Sequence, residues 1–169
     1  MRDIGENPIG QPTMILQAQS NIDIEAARVL FRLFAESLPF SLAYQNFESE
    51  LAGLPAPYVP PHGSLLLAKS EFDYLGVVGL KRLSVGIAEI KRFYVVPEAR
   101  GRGIGRMLLT RIIDDAWIKG YERIQLDSHR PSMTTAIAMY RSLGFVEIPP
   151  YGPDLGGEIA FFEKCLFNP

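Results

Sequence analysis

Residues 91–97 read Lys-Arg-Phe-Tyr-Val-Val-Pro, and residues 100–106 read Arg-Gly-Arg-Gly-Ile-Gly-Arg. The first stretch is rich in the aromatic and β-branched residues of a strand, and the second leads into a helical pattern. In that pattern apolar residues recur every four positions, at Ile104, Leu108, Ile112 and Ala116. Glycines at 101, 103 and 105 leave main-chain N–H groups uncovered at this strand-to-helix turn. Because a helix N-terminus favours anions and guanidinium suits phosphate, the turn predicts a site for a phosphate-bearing ligand.

The spacing of the glycines excludes two common phosphate-binding motifs. A dinucleotide fingerprint needs a third glycine three residues after its second, and the two possible counts give Arg106 and Leu108. A P-loop needs Lys and then Ser or Thr after its last glycine, whereas Arg106 and Met107 follow Gly105. The alternative to a ligand site is a helix start with glycines for tight packing and solvated arginines. Three alternate glycines flanked by arginines favour the anion site.

The rest of the chain alternates short apolar runs with helical patterns. Ser20, Asn21 and Asp23 are suited to cap a helix that Pro39 ends. We predict helices that end near Leu38, Leu51, Gly120 and Leu143, the third of which begins at Gly101. Strands are predicted over residues 13–18, 64–68, 74–80, 86–96, 122–127, 145–148 and 158–166. Consecutive strands in the first half suggest a meander, so the fold class is α/β or α+β with a mixed sheet.

Bulk properties exclude several classes of protein. The 169 residues suit one domain, placed over residues 1–169, and a formal net charge of −2 argues against nucleic-acid or membrane partners. The single Cys165 cannot form an internal disulfide, and no Cys and His spacing suits a metal, so none is expected. Residues 1–12 lack an apolar run, which predicts neither a signal peptide nor an anchor. We therefore predict a cytoplasmic protein.

Two segments together resemble a known family. Residues 100–105, which follow the predicted strand at 91–97, resemble the acetyl-CoA motif Arg/Gln-x-x-Gly-x-Gly/Ala of the GNAT superfamily of N-acetyltransferases. Residues 133–145, Met-Thr-Thr-Ala-Ile-Ala-Met-Tyr-Arg-Ser-Leu-Gly-Phe, resemble the second motif, Asn-x-x-Ala-x-x-x-Tyr-x-x-x-Gly-Phe. Order and spacing fit over residues 86–146, with one departure: Met133 stands where the family usually has Asn. The resemblance implies a largely antiparallel sheet of about seven strands, splayed in the middle, with about four helices.

The resemblance also implies a cofactor site for acetyl-CoA, the acyl donor. Its pyrophosphate is expected on the main-chain amides of the glycine turn, and its pantetheine arm is expected to pair like an extra strand with the end of the preceding strand. The implied cofactor-binding residues are Phe93, Tyr94, Val95, Arg100, Gly101, Arg102, Gly103, Ile104, Gly105 and Arg106. A homodimer through the C-terminal strands is a further implication of the resemblance.

Transfer of an acyl group to an amine needs a neutral nucleophile, stabilisation of an oxyanion and a proton for the leaving thiolate. Tyr140 matches the family tyrosine that can donate this proton, and the alternative is a core aromatic on the face shared with Ala136. Strand alternation places Glu89, Lys91, Phe93 and Val95 on one face, which makes Glu89 a candidate base. The alternative for Glu89 is an ion pair with Lys91 or an arginine.

Two further groups at the end of the strand 122–127 are weaker candidates for the base. These are Asp127 and His129, and we expect His129, within Ser-His-Arg-Pro, to be an exposed loop residue. A main-chain N–H near Val95 is a candidate to polarise the thioester carbonyl.

The predicted function is acetyl transfer from acetyl-CoA to a primary amine of a small molecule or amino acid, by direct attack in a ternary complex. A protein N-terminus or lysine is the alternative acceptor. The alternative of another class is a non-catalytic acyl-CoA-binding domain. Residues 40–61 and 149–153, with several tyrosines and glutamates, are expected to contact the acceptor.

Overall fold

The computed structural model describes residues 12–167. Strands are β1 (Met14–Gln17), β2 (Ser64–Lys69), β3 (Tyr74–Ser84), β4 (Ile87–Val95), β5 (Arg123–His129), β6 (Val146–Ile148) and β7 (Ile159–Cys165). Helices are α1 (Asn21–Glu36), α2 (Phe47–Gly53), α3 (Ile104–Ile118) and α4 (Thr134–Ser142), with 3-10 turns at Ala43–Gln45 and Pro97–Ala99. Residues 1–12, for which we predict neither a signal peptide nor an anchor, lie outside the described residues except for Pro12. The extent of the domain over residues 1–169 stays a prediction.

The seven strands form one open sheet in the order β1-β2-β3-β4-β5-β7-β6. Every described strand pair is antiparallel except β4 with β5, which the chain connects through α3 as a crossover. The mixed, largely antiparallel sheet of seven strands and four helices confirms the predicted fold.

Each face of the sheet has its own core. One core lies under α3 and α4 and is built around Leu108, Ile112, Tyr140 and Phe162. The other lies under α1 and α2 and contains Phe31 and Tyr58, which meet edge to face. The helix α1 begins at a capping box in which Ser20 Oγ accepts from Asp23 N–H while the Asp23 carboxylate accepts from Ser20 N–H.

Strands β4 and β5 separate partway along their length. They pair in parallel from Ile87 with Arg123 to Glu89 with Gln125, and β5 then continues beside β7 as far as His129. Residues 90–95 of β4 therefore have no described strand partner on the β5 side. The predicted splay in the middle of the sheet is confirmed. It leaves a gap between β4 and β5 that is open to both faces of the sheet.

A β-bulge at Arg92 breaks the predicted alternation of β4. Arg92 has a left-handed backbone, φ 59°, and the register with β3 shifts by one residue between Lys91 and Tyr94. Beyond the bulge, Phe93 and Val95 join the core under α3 and α4, whereas Tyr94 joins the core under α1 and α2. The prediction that Glu89 and Lys91 share a face with Phe93 and Val95 is therefore wrong, because the extra residue reverses the faces.

Candidate active site

The glycine turn forms an open concave end to α3. Gly101 and Gly103 have φ values of 75° and 80°, and no atom lies within 4 Å of a Cβ built at either position. The helix begins at Ile104 and not at Gly101 as predicted, since its first main-chain bond runs from Met107 N–H to Gly103 O. The amides of residues 101–106 precede that bond and have no intrahelical acceptor. A phosphate-sized anion fits here because both space and donors are present.

Gly105 has a different structural role from Gly101 and Gly103. A Cβ at this position would stand 3.0 Å from Phe93 Cζ and 3.3 Å from Met139 Cε. The glycine therefore lets α3 pack closely against β4 and α4. Tight packing, the alternative to a ligand site in the sequence analysis, therefore explains Gly105. The two left-handed glycines, Gly101 and Gly103, face open space.

The three arginines of the turn differ in their contacts. Arg100 Nε donates to Val95 O at 2.9 Å, and its guanidinium lies 5.5 Å from the centre of the Tyr94 ring. Arg106 Nη2 donates to Ser142 Oγ at 2.7 Å, which joins α3 to α4. Arg102 is exposed. Two of the three side chains thus also fix the walls of the site in place.

A cavity of about 510 Å³ connects the glycine turn to the free edge of β4. Its walls come from the end of α1, the end of β4, the turn and the start of α4, and include Phe34, Phe93, Tyr94, Val95, Arg100, Gly101, Gly103, Ile104, Gly105, Met133 and Ala136. Eight predicted cofactor residues line it, and Arg102 and Arg106 flank it. Its size suits a ligand of many atoms.

The main chain of β4 presents unpaired groups to this cavity. Val96, the residue after the end of β4, donates its N–H to Leu75 O of β3 at 2.9 Å. Successive amides in a strand point to opposite edges, so Val95 N–H faces the gap between β4 and β5. The geometry agrees with the expected position of a donor near Val95 for a thioester carbonyl.

Tyr140 lies at the back of the gap and is 2% exposed. Its ring packs about 6 Å from the rings of Phe93, Phe145 and Phe162. Burial and then the negative charge of Asp127 raise the pKa of its hydroxyl, and the nearby Ser128 hydroxyl opposes this shift. The residue is at once a core aromatic and a hydroxyl that stays protonated at neutral pH.

Glu89 is buried in a network of charged and phenolic groups. Tyr151 donates its hydroxyl to Glu89 Oε2 at 2.9 Å, and Lys81 and Lys91 place Nζ 3.6 Å and 3.9 Å from Oε1. Burial and the charge of Glu89 raise the pKa of Tyr151. The ion pair foreseen as the alternative is thus present. The loop that carries Tyr151 is also the predicted acceptor loop.

A second, smaller cavity of about 30 Å³ lies between β4 and β5. Asp127 and Tyr140 both line it, together with Lys91, Phe34, Phe93 and Met133. The last three also line the larger cavity, so the two spaces are adjacent. This is the point where the larger cavity meets the polar face of the sheet.

His129 and Met133 border the same region. His129 is 4% exposed, with Nδ1 2.7 Å from Ser132 Oγ and its ring 5.0 Å from that of Phe40. The prediction of an exposed loop histidine is wrong, because β5 extends to this residue and Phe40 covers it. Met133, in place of the usual Asn, accepts a weak hydrogen bond at Sδ from Ser128 Oγ at 3.4 Å.

An ion pair that sequence reasoning missed holds α2 against β4. Arg92 Nε donates to Glu50 Oε2 at 2.8 Å, and Nη2 donates to Oε1 at 3.2 Å. Tyr58 donates to the same carboxylate at 3.0 Å, and Gln45 Oε1 accepts from Arg92 Nη1 at 2.8 Å. The unusual φ of Arg92 has no signal in the sequence, since no glycine or asparagine marks it.

Within residues 12–167, no group of three or more His, Cys, Asp or Glu side chains is placed to hold a metal ion. No helix of the described part of the chain is long and apolar enough to cross a membrane.

Comparisons with known proteins agree with this geometry. An N-acetyltransferase of Schizosaccharomyces pombe, itself uncharacterized, is 34% identical over 131 residues, which cover 76% of this chain and 80% of the relative. A GNAT-family acetyltransferase from Staphylococcus aureus shares the fold, with a TM-score of 0.77 and 21% identity over 92% of this chain and all of its own. An acetyltransferase from Salmonella typhimurium, determined with its cofactor acetyl-CoA, has a TM-score of 0.69 and 20% identity over 92% of this chain and 94% of its own.

The family model for the acetyltransferase (GNAT) family matches residues 28–145, which include both motifs, the glycine turn and Tyr140. The chain therefore belongs to the GNAT family and is an acyltransferase of the N-acetyltransferase type.

Proposed function

We propose that the protein transfers the acetyl group of acetyl-CoA to a primary amine of a small molecule or an amino acid, in a ternary complex. One observation carries the proposal: a single cavity joins the free amides of the glycine turn to the unpaired edge of β4. A pyrophosphate on those amides and an extended pantetheine arm along β4 would together bring a thioester to the gap beside Tyr140. The cofactor of the Salmonella typhimurium neighbour supports acetyl-CoA as the donor.

The residues at the gap supply the groups that the reaction needs. Val95 N–H faces the gap and is proposed to stabilise the oxyanion as the neutral amine attacks the carbonyl carbon. The attacking nitrogen then releases its extra proton to solvent, collapse restores the carbonyl and breaks the C–S bond, and Tyr140 donates a proton to the departing sulfur. Solvent then reprotonates the phenolate. Because the pKa of Tyr140 is raised, its hydroxyl keeps its proton throughout the neutral range.

Glu89 is proposed as the group that accepts the ammonium proton, through water or the Tyr151 hydroxyl that it already binds. Overall the ammonium loses two protons, the thiol gains one through Tyr140, which solvent reprotonates, and one proton is released to solvent. The competing role for Glu89 is to neutralise Lys81 and Lys91. A Glu89→Gln variant separates the two roles: loss of a base lowers kcat at a fixed amine KM, whereas loss of the ion pair lowers the melting temperature.

Purified protein, incubated with acetyl-CoA and a panel of amines, tests the proposal by release of free thiol. The panel contains small aliphatic and aromatic amines, amino acids, and peptides with a free N-terminus or a lysine. We expect release with small amines. Release only with peptides would assign the protein acceptor instead, and tight binding of acetyl-CoA without release across the panel would assign a non-catalytic binding domain.

The cellular setting of this proposal comes from the sequence. The protein is proposed to act in the cytoplasm, without nucleic-acid or membrane partners and without a metal, with a homodimer as the assembly that the family resemblance implies.

A further inference from the structure

Three carboxylates lie near the gap, Glu89 and Asp127 on the polar face of the sheet and Glu50 on α2 against that face, and they differ in how fully they are paired. Glu50 accepts two hydrogen bonds from Arg92 and one from Tyr58. Glu89 accepts from Tyr151 and has two lysines within 4 Å. Asp127 has a single contact, from Lys91 Nζ to Oδ2 at 3.4 Å. That distance is longer than the 2.7–2.9 Å of a typical charge-assisted hydrogen bond.

Asp127 is also the most accessible of the three. Its side chain is 26% exposed, compared with 14% for Glu50 and 6% for Glu89. Within residues 12–167, no donor reaches Asp127 Oδ1. Lys91 lies 3.9 Å from Glu89 as well, so it has a second carboxylate to pair with when another cation occupies Asp127.

The position of Asp127 fits contact with the reacting amine. It shares the small cavity with Tyr140, and its charge contributes to the raised pKa of that residue, which places the two side chains close together. A volume of about 30 Å³ has room for one group of the size of a water molecule or an ammonium head. Phe34 and Met133, which line both cavities, supply apolar walls for the carbon next to that head.

We propose that Asp127 binds the ammonium group of the acceptor, and that it thereby selects primary amines that are cationic at neutral pH and carry a compact apolar body. This inference rests on the proposed function, because it assumes that an amine attacks at the gap beside Tyr140. The carboxylate acts by binding and orienting the ammonium before the amine loses its proton. The glycine turn and the donor cavity are unaffected by this role.

The test uses the Asp127→Asn variant, which keeps the side-chain volume and removes the charge. Two acceptors of similar size are compared at saturating acetyl-CoA: 2-phenylethylamine, a cation at neutral pH, and phenylhydrazine, which is neutral there. We expect kcat/KM for 2-phenylethylamine to fall by about 10- to 100-fold, mainly through KM, as for the loss of a hydrogen bond to a charged group. For phenylhydrazine we expect a change of less than about two-fold, since no charge is recognised.

Glu163→Gln is the matched control. Glu163 on β7 pairs with Gln125 on β5, and Gln125 lies two residues before Asp127. Glu163 is therefore on the same face of the sheet as Asp127. It lines neither of the two cavities. Its loss of charge is expected to leave the ratio between the two acceptors unchanged. The KM for acetyl-CoA, unchanged in both variants, shows that the donor site is intact.

Three results would count against the inference. An Asp127→Asn variant with an unchanged ratio between the two acceptors, whether both keep their activity or both lose it equally, overturns the role of Asp127. A shift in the Glu163→Gln control of the same size shows a general effect of charge on this face. Absence of thiol release by the wild type with every amine of the panel contradicts the proposed function itself, and the inference with it.

Discussion

The proposed donor side and the proposed acceptor side of the site are built in different ways. The donor side is continuous in sequence, because residues 93–95 and 100–106 form most of it, and its main features are free amides and open space. The acceptor side is assembled from distant parts of the chain, as in the bonds from Tyr151 to Glu89 and from Arg92 to Glu50, which span 62 and 42 residues. The donor side uses main-chain groups that tolerate many side chains, whereas the acceptor side depends on particular buried partners.

The largest expected effect is a loss of folding stability from a substitution on the acceptor side. Glu50→Ala leaves the guanidinium of Arg92 buried without its carboxylate, and we expect a loss of about 3–5 kcal/mol in the free energy of unfolding. Denaturant unfolding followed by circular dichroism measures this. Glu48→Ala, on the same helix, is the control: the Glu48 side chain is 81% exposed and 3.9 Å from Arg32, so a change of less than about 1 kcal/mol is expected. Equal losses in the two variants would contradict the account.

The next effect concerns the chemistry where the two sides meet. Tyr140→Phe removes the proposed proton donor and keeps the ring, so we expect kcat to fall by about 100-fold. The Kd for acetyl-CoA, measured by calorimetry, is expected to stay within about two-fold, because Tyr140 does not line the donor cavity. An unchanged kcat with an unchanged melting temperature would restrict Tyr140 to packing.

Stability at high pH is expected to depend on tyrosines whose pKa is raised in the folded protein, among them Tyr151 and two in the cores, Tyr58 and Tyr140. Burial raises the pKa of both Tyr58 and Tyr140, so each binds its proton more tightly in the folded protein than in the unfolded chain. Their contribution is therefore complete below the unfolded pKa of about 10 and is lost as pH rises above it. The free energy of unfolding should fall by about 1.4 kcal/mol per pH unit for each tyrosine.

Urea titrations across this range measure the slope. Tyr140→Phe is expected to reduce it, and an identical slope in that variant would contradict the prediction.

The smallest effect is on the donor side. Gly103→Ala introduces a side chain at φ 80°, where an L-residue costs about 1–2 kcal/mol, and its methyl group occupies the space in front of the amides. We expect about a 5- to 10-fold weaker Kd for acetyl-CoA. Gly53→Ala is the control, since a Cβ there meets no atom within 4 Å and Gly53 lies at the end of α2. It should bind acetyl-CoA like the wild type.

The same contrast explains what could be predicted from the sequence. The strand, the glycine turn and the helix that follows obey local rules, since glycine spacing and apolar periodicity act within a few residues. The sheet of seven strands and the splay came from the family resemblance and from those patterns, and the structure agrees with both. Within the glycine turn, the start of α3 at Ile104 departs from the prediction, because left-handed Gly101 and Gly103 still belong to the turn.

The acceptor side could not be predicted for physical reasons. Arg92 adopts a left-handed backbone without glycine, and it is held there by a carboxylate from another element, so no local signal marks the bulge. The bulge then reverses which residues of β4 face each core. His129 is buried because Phe40, far away in the chain, covers it. Contacts of this kind depend on tertiary structure, and strand alternation alone gives the wrong face.

Two-substrate kinetics of Gly103→Ala and Asp127→Asn test most directly whether the two sides act separately. We predict that Gly103→Ala raises the KM for acetyl-CoA and leaves that for 2-phenylethylamine unchanged, and that Asp127→Asn does the reverse. The account would be contradicted if either variant raised both KM values by the same factor. It would also be contradicted if Gly103→Ala raised the KM for 2-phenylethylamine and Asp127→Asn raised the KM for acetyl-CoA.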